Sequence, residues 1–224
     1  MSVDEKINQI ENSLRNQAKL IKPWPSDFHV TFHTACANAV TIDGLWLEFG
    51  VYRGRSIDQF ASLTEKTIYG FDSFEGLLEF WDKDNPQGVY GLAGNIPAGV
   101  IVGENQSMYD TTTTQNFKPW PKNVQLIKGW FNETLPGFLR DHKDNVALLH
   151  VDSDLYSSAK TVLDNLVSQI VPGTIIIFDE IDNYPDYRDH EIKAFAEFLL
   201  QTEYNYEALF YSGYDYSQGC FRIK

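Results

Sequence analysis

Four acidic side chains follow two apolar stretches of this chain, at places where β-strands are expected to end. Asp152 and Asp154 come directly after one apolar run, and Asp179 and Glu180 come after residues 174–178, a β-branched run typical of a buried parallel strand. An unpaired carboxylate is costly beside a buried strand, which favours a functional role for the second pair. Carboxylates gathered at one sheet edge repel one another and raise the pKa of some members. A divalent cation relieves that repulsion, and oxygen-only ligands favour Mg²⁺ or Ca²⁺ over zinc.

A second candidate site lies where the apolar run Leu45–Phe49 breaks at Gly50. Gly54 follows, and a helix is predicted to begin near residue 56. Glycines let a ligand approach the backbone, and the start of a helix offers unpaired N–H groups. This turn therefore favours an anionic or sugar-like ligand.

Two further strand ends carry polar groups. Asp72 ends the predicted strand at residues 67–72, where a carboxylate suits the two hydroxyls of a ribose. Residues 129–133 follow the predicted strand at residues 124–127 and offer an aromatic face with amide and acid groups for a flat base.

Each of these residues has a structural alternative. Glu48, at the end of its strand, could cap the neighbouring helix, and Asp154 could cap the helix that follows it. Asp72 alone is common in nucleotide-binding sheets. The pair His29 and His33 is interpreted as a solvated or packing feature rather than as a ligand pair.

The composition excludes several classes of function. The formal net charge of −13 argues against binding to nucleic acid or to an anionic membrane surface. No apolar run approaches the ~20 residues that cross a bilayer, and the N-terminus lacks the features of a signal peptide. Cys36 and Cys220 are expected to be inert buried thiols, although a disulfide stays open. We expect a cytoplasmic protein.

The elements that must position these side chains alternate between strand and helix. Seven strands are predicted, at residues 45–49, 67–72, 124–127, 146–151, 174–178, 206–211 and 219–223. Helices are predicted at residues 4–21, 27–41, 56–63, 135–142, 156–170 and 191–202. This order predicts an α/β fold, a doubly wound, mostly parallel seven-stranded sheet with an antiparallel C-terminal strand and N-terminal helices. Such sheets bind ligands beyond the carboxyl ends of their strands.

We expect a single domain over residues 1–224. Residues 1–43 would form a helical cap, and residues 77–120 an irregular, lid-like insertion of the kind that is usually functional or mobile. The amphipathic helix predicted at residues 4–21 could pack across a homodimer.

Five stretches at the strand ends carry a resemblance to known enzymes. They read LEFGVYRGRS at 47–56, YGFDSFEG at 69–76, KGWFNETLP at 128–136, HVDSDLY at 150–156 and FDE at 178–180. In this order they resemble class I S-adenosylmethionine-dependent methyltransferases and, more narrowly, the macrocin O-methyltransferase family, which methylates sugar hydroxyls of antibiotics. They are also similar to the divalent-metal-dependent catechol O-methyltransferases.

The resemblance implies a role for each matching residue. By this resemblance, the methionine part of the cofactor would be held by Glu48, Gly50, Tyr52 and Ser56. The ribose would bind to Asp72, and the adenine would lie beside Phe131 and Asn132. The ligands of Mg²⁺ would be Asp152, Asp179 and Glu180. Glu180 departs from the Asp or Asn that relatives carry, and its side chain is longer by one methylene.

The chemistry implied is methyl transfer from S-adenosylmethionine to a hydroxyl of a small molecule, such as a sugar or a glycosylated or aromatic natural product. Our hypothesis is that Asp152 ligates Mg²⁺ and that Asp154 is the base that accepts the hydroxyl proton. Two alternatives stay open. One is a non-catalytic S-adenosylmethionine-binding protein, and the other is a nicotinamide-dependent oxidoreductase, which would need a GxGxxG turn after the first strand of the sheet.

Overall fold

The computed structural model describes residues 1–21, 28–102 and 116–224. The strands in these ranges are β1 (Lys19–Leu20), β2 (Leu45–Phe49), β3 (Ile68–Asp72), β4 (Val100–Val102), β5 (Asn116–Lys118), β6 (Val124–Lys128), β7 (Val146–Val151), β8 (Ile175–Asp182), β9 (Tyr206–Tyr211) and β10 (Ser217–Ile223). The α-helices are α1 (Val3–Asn16), α2 (Phe28–Asn38), α3 (Arg55–Ser62), α4 (Phe131–Asp141), α5 (Tyr156–Leu166) and α6 (Glu191–Thr202).

One large sheet organises these elements. Within the described ranges it has eight strands in the order β1-β9-β10-β8-β7-β2-β3-β6. The strands from β8 to β6 run parallel, whereas β10 is antiparallel to both of its neighbours, β8 and β9. This confirms the predicted doubly wound, mostly parallel sheet with an antiparallel C-terminal strand.

Helices cover both faces of the sheet, which explains why all five residues of β2 are buried. On one face, α1, α4, α5 and α6 pack over Leu47 and Phe49, and on the other, α2 and α3 pack over Trp46. Successive residues of a strand point to opposite faces, so a strand covered on both sides is expected to be mostly apolar, and Glu48 is the one charged residue of β2.

The N-terminal segment differs from the prediction of one helix over residues 4–21. Helix α1 begins at a capping box formed by Ser2 and Glu5 and ends at Asn16. The chain then pairs with β9 at Lys19–Leu20, which adds the eighth strand to the predicted seven. The edge of β9 gains backbone hydrogen bonds in this way, and periodicity alone could not indicate such long-range pairing.

The apolar face of α1 is used within the chain. Ile7, Ile10 and Leu14 are buried in the core that also contains α6. This face therefore gives no support to the predicted homodimer, which stays a prediction.

The insertion at residues 77–120 has some regular structure. Strands β4 and β5 pair as an antiparallel ladder. Before them, Trp81 packs with Leu155 and Tyr184 in a small apolar cluster. Residues 103–115 of the predicted lid lie outside the described residues.

Cys36 and Cys220 are free and buried, as expected. Burial, together with the nearby Cys220, raises the pKa of the Cys36 thiol well above its usual value, which keeps it unreactive at neutral pH. None of the described helices combines the length and the apolar character that a membrane span needs.

Candidate active site

A cavity of about 1260 Å³ opens at the carboxyl ends of β2, β3, β6, β7 and β8. Ten of the eleven residues predicted from the sequence line it, namely Gly50, Tyr52, Ser56, Asp72, Phe131, Asn132, Asp152, Asp154, Asp179 and Glu180. The eleventh, Glu48, is fully buried and is not among the lining residues. The parallel sheet explains this convergence, because the carboxyl ends of its strands meet at one edge.

Asp72 orders the turn between β2 and α3. Its Oδ2 accepts the backbone N–H groups of Val51 at 2.8 Å and Tyr52 at 2.7 Å, and its Oδ1 accepts that of Phe74 at 2.6 Å. Tyr52 has a φ of 45°, in the left-handed region that side chains other than glycine rarely adopt. The carboxylate therefore stabilises an otherwise unfavourable turn at the cavity wall.

Gly50 is required by the close approach of the next strand end. Its φ is +94°, and a Cβ at this position would lie 1.7 Å from the backbone oxygen of Asp152. Asp152 in turn donates its N–H to the carbonyl of Phe49 at 2.9 Å. The turn after β2 and the acidic residues after β7 are thus in direct backbone contact.

An aromatic wall follows β6. Phe131 is the first residue of α4 and packs edge-on against Phe49, with ring centroids 5.2 Å apart. Asn132 is next in the helix and lines the same cavity. Tyr90 of the insertion packs edge-on against Tyr52 of the Asp72 turn, with ring centroids 5.7 Å apart.

Three carboxylates form an oxygen-only group, which we call the acid cluster, consisting of Asp152, Asp154 and Glu180. One carboxylate oxygen of each lies within 4.8 Å of the others. Burial raises the pKa of all three, and the charge of Asp179 raises it further; for Asp154 the result is a pKa of about 7. Among the described residues, Glu180 Oε2 has no hydrogen-bond partner.

The capping alternatives are wrong for both residues. Helix α5 has Leu155 at its N-cap with no side-chain cap, and Asp154 instead occupies a left-handed conformation with φ 60°. Helix α3 has Gly54 at its N-cap, also without a side-chain cap. Glu48 accepts a hydrogen bond from the Ser56 hydroxyl at 3.0 Å, and its other oxygen lies 3.0 Å from His150 Nδ1.

Asp179 faces a different group, which we call the histidine cluster, consisting of His33, His150 and Asp179. Its Oδ1 lies 3.8 Å from Nε2 of both histidines, which are fully buried. The prediction that His33 is a packing feature overlooked this position beside the cavity. A signal was present for His150, because a polar residue in a buried strand needs a partner, and Glu48 is its register neighbour in β2.

Glu191 was also missed by the sequence reasoning. It is the first residue of α6 and is fully buried, and its Oε1 accepts the N–H of Ser153 at 3.3 Å. Burial and the charge of Asp154 raise the pKa of Glu191 well above its usual value. A fourth carboxyl group thus stands behind the acid cluster.

The sequence is similar to that of known O-methyltransferases. The model of the family described as macrocin O-methyltransferase (TylF) matches residues 27–198. The demethyldecarbamoylnovobiocin O-methyltransferase of Streptomyces niveus is 25% identical over 206 residues, which cover 85% of this chain and 75% of that protein. The 8-demethyl-8-(2,3-dimethoxy-alpha-L-rhamnosyl)-tetracenomycin-C 4'-O-methyltransferase of Streptomyces olivaceus is 26% identical over 195 residues, covering 75% and 70%.

The fold is also found among solved structures. The crystal structure of CalS11, a calicheamicin methyltransferase, superposes with a TM-score of 0.63 at 22% identity, covering 98% of this chain and 91% of that one. Its similarity supports the class I methyltransferase fold. None of these comparisons tests the role of an individual residue in the cavity, so the residue assignments stay predictions.

Proposed function

Because the chain belongs to the macrocin O-methyltransferase family and is a methyltransferase, we propose that it transfers a methyl group from S-adenosylmethionine to a hydroxyl of a sugar or of a glycosylated or aromatic natural product, with the assistance of Mg²⁺. The observation that carries this proposal is one cavity lined both by the Asp72 turn and by the acid cluster. A nucleoside-like donor and an acceptor hydroxyl would meet there.

On the donor side, the sulfonium cofactor would lie along the ends of β2, β3 and β6. Gly50, Tyr52 and Ser56 would hold its methionine part, and Phe131 and Asn132 would flank the adenine. A carboxylate has about four acceptor positions, and backbone N–H groups already use three of those on Asp72. We therefore propose that Asp72 accepts one ribose hydroxyl rather than the predicted two.

The acid cluster fits a magnesium ion, because its oxygens are close together and partly buried, and Glu180 Oε2 has no hydrogen-bond partner among the described residues. Of the predicted ligands, Asp152 and Glu180 belong to this cluster, whereas Asp179 Oδ1 faces the histidines. We propose that Asp152 and Glu180 would hold the ion, with Asp179 at the border between the two clusters. When bound, Mg²⁺ would lower the pKa of an acceptor hydroxyl and fix its orientation.

Asp154 is our candidate for the base. A hydroxyl must lose its proton as it attacks the methyl group, and an efficient base has a pKa near the working pH. Without the ion, burial and the charge of Asp179 raise the pKa of Asp154 to about 7. A bound cation would lower this pKa, so Asp154 would be ionised at neutral pH and able to accept a proton. Its position next to Asp152 and Glu180 would bring it close to a hydroxyl held at the cluster.

The volume of the cavity leaves space for an acceptor beside the donor, since single small-molecule sites usually measure ~300–1,000 Å³. Leu77, Leu78 and Tyr90 of the insertion also line it. Apolar and aromatic groups of this kind suit the face of a sugar or an aromatic ring. The insertion would thus act as the predicted lid.

The proposal is tested by methyl transfer from labelled S-adenosylmethionine to a panel of nucleotide sugars, glycosides and catechols, with Mg²⁺ or with a chelator. Asp152→Asn should abolish Mg²⁺-stimulated transfer, while the affinity for S-adenosylhomocysteine, measured by calorimetry, stays nearly the same. Asp164→Asn, on the outer surface of α5, is the matched control and should leave both unchanged. Binding of the cofactor without transfer to any acceptor would favour the non-catalytic alternative, and loss of cofactor binding in Asp152→Asn would contradict the assignment of that residue.

A further inference from the structure

We propose that the histidine cluster binds a divalent transition-metal ion of the zinc class, at a site separate from the acid cluster. His33 from α2, His150 from β7 and Asp179 from β8 would be its protein ligands, and the remaining coordination positions would face the cavity. Two imidazoles and one carboxylate are a ligand set for borderline metals, whereas the acid cluster offers only oxygen. The inference goes beyond methyl transfer and does not depend on it.

The proton on His150 is assigned by its partner. Nδ1 lies 3.0 Å from Glu48 Oε2, and a carboxylate oxygen is a hydrogen-bond acceptor, so Nδ1 carries the hydrogen. Nε2 is then the atom directed at Asp179. It is buried and has no hydrogen-bond partner among the described residues. A buried carboxylate–histidine pair of this kind orients the ring of many metal ligands.

The same argument applies to His33. Its Nδ1 lies 3.2 Å from Gln59 Oε1, and the amide of Gln59 is oriented by its Nε2, which donates to the carbonyl of Val30 at 2.6 Å. His33 Nδ1 is therefore the donor, and Nε2 presents its lone pair. Both histidines thus have an oxygen acceptor behind the ring, and both direct Nε2 towards Asp179.

The two Nε2 atoms converge on one carboxylate oxygen. Each lies 3.8 Å from Asp179 Oδ1, which is too long for a hydrogen bond but within the span of two metal–ligand bonds of about 2.0–2.2 Å. The rings are held in place by Phe60, which stacks on His33 at 4.8 Å and meets His150 edge-on at 5.3 Å.

A further neighbour is the amide of Gln218. Its Nε2 donates to Asp179 and lies 3.3 Å from His33 Nε2, so an N–H donor is directed at two of the proposed ligand atoms. A bound cation would replace the Gln218 N–H group as the partner of His33 Nε2 and Asp179. Since His33 and Asp179 line the cavity, an ion can reach the site and retain an exchangeable ligand.

The test is a titration of the chelator-treated, full-length protein with CoCl₂ in the presence of excess MgCl₂, followed by visible absorption and calorimetry. We expect one equivalent of Co²⁺ to bind with the spectrum of nitrogen-ligated, low-coordinate cobalt and to be displaced by ZnCl₂ but not by Mg²⁺. His33→Gln should lower the affinity by more than about 100-fold. Glu48→Gln, which alters the orienting partner of His150 and keeps an acceptor for the Ser56 hydroxyl, should lower it by about 10–100-fold.

Asp154→Asn is the control, because it changes the acid cluster and leaves the histidines intact; Co²⁺ affinity should not change. Competition by Mg²⁺, or loss of Co²⁺ binding in Asp154→Asn with retention in His33→Gln, would overturn the proposal. Because buried substitutions can unfold the chain, ¹⁵N-histidine spectra of the unsubstituted protein provide a second measurement. ZnCl₂ should shift the Nε2 signals of two of the five histidines, and unchanged signals would also overturn it.

Discussion

The two sides of the cavity satisfy their buried polar groups in opposite ways. On the side of β2 and β3, the carboxylate of Asp72 accepts three backbone N–H groups, and the turn that it orders is complete without a ligand. On the side of β7 and β8, Asp152, Asp154 and Glu180 are crowded, and burial with the charge of Asp179 raises their pKa values. The donor side is preorganised by hydrogen bonds, whereas the acidic side holds carboxylates that repel one another.

This difference indicates where each ligand contributes to stability. A preformed turn lowers the entropic cost of holding a flexible cofactor. An acidic group that is strained in the free protein gains stability when a cation binds, because the cation removes the repulsion. We expect substitutions on the donor side to destabilise the chain and some substitutions on the acidic side to stabilise it.

The largest effect is expected where the two sides touch. Gly50→Ala places a Cβ against the backbone oxygen of Asp152 and imposes a positive φ on alanine, so neither strand end can keep its position. We expect a loss of more than about 4 kcal/mol in the free energy of unfolding, measured by denaturant titration.

Gly88→Ala separates the cost of the steric contact from the cost of the positive φ. Gly88 also has a positive φ, of +83°, but a Cβ there has no neighbour within 4 Å. We expect a loss of only about 1–2 kcal/mol, the cost of the left-handed conformation. Equal effects of the two substitutions would show that contact between the strand ends is unimportant.

The next effect concerns the donor side alone. Asp72→Asn keeps the shape but replaces one acceptor oxygen by an NH₂ group, which faces backbone N–H donors. We expect a loss of about 2–4 kcal/mol in stability and a cofactor affinity reduced by at least about 10-fold. Thermal unfolding and calorimetry with S-adenosylhomocysteine measure the two. A variant with full cofactor affinity would contradict the role of the turn.

On the acidic side, the free energy of unfolding should depend on pH, because the ionised Asp154 is unfavourable in the folded protein. Asp154 ionises near pH 3.9 in the unfolded chain and near pH 7 in the folded one. The contribution of Asp154 to the free energy of unfolding is therefore fully present below pH 4, and it is lost as the pH rises from 4 to 7. Without metal, Asp154→Asn should remove this slope and stabilise the protein by roughly 1–3 kcal/mol at pH 8.

Mg²⁺ provides the check on that prediction. Added Mg²⁺ should raise the melting temperature of the unsubstituted protein at pH 8, and it should raise that of Asp154→Asn less, since one of the crowded charges is gone. If Asp154→Asn instead lowers the stability at pH 8, the carboxylate is paired rather than strained.

Much of this site could be predicted from the sequence because its residues follow strands. Periodicity located β2, β3, β7 and β8, and the parallel sheet brings their carboxyl ends together, so Asp72 and Asp152 could be assigned to one cavity. The end of β8 was predicted too early. The strand continues to Asp182 because Ser217 pairs with it across a bulge, and local sequence does not encode that pairing.

The histidine cluster could not be predicted in the same way. His33 comes from a helix on one face of the sheet, and its contact with His150 depends on how α2 packs over β7, 117 positions along the chain. No spacing rule covers such a distance. The edge strand β1 was missed for the same reason.

The division of the cavity into a donor side and an acidic side is tested most directly by a crystal structure with S-adenosylhomocysteine and Mg²⁺. We predict the ribose at Asp72, the adenine beside Phe131, and the sulfur directed at the ion, with the ion on Asp152 and Glu180. A cofactor bound along β7 and β8, or an ion coordinated away from the acid cluster, would contradict the account.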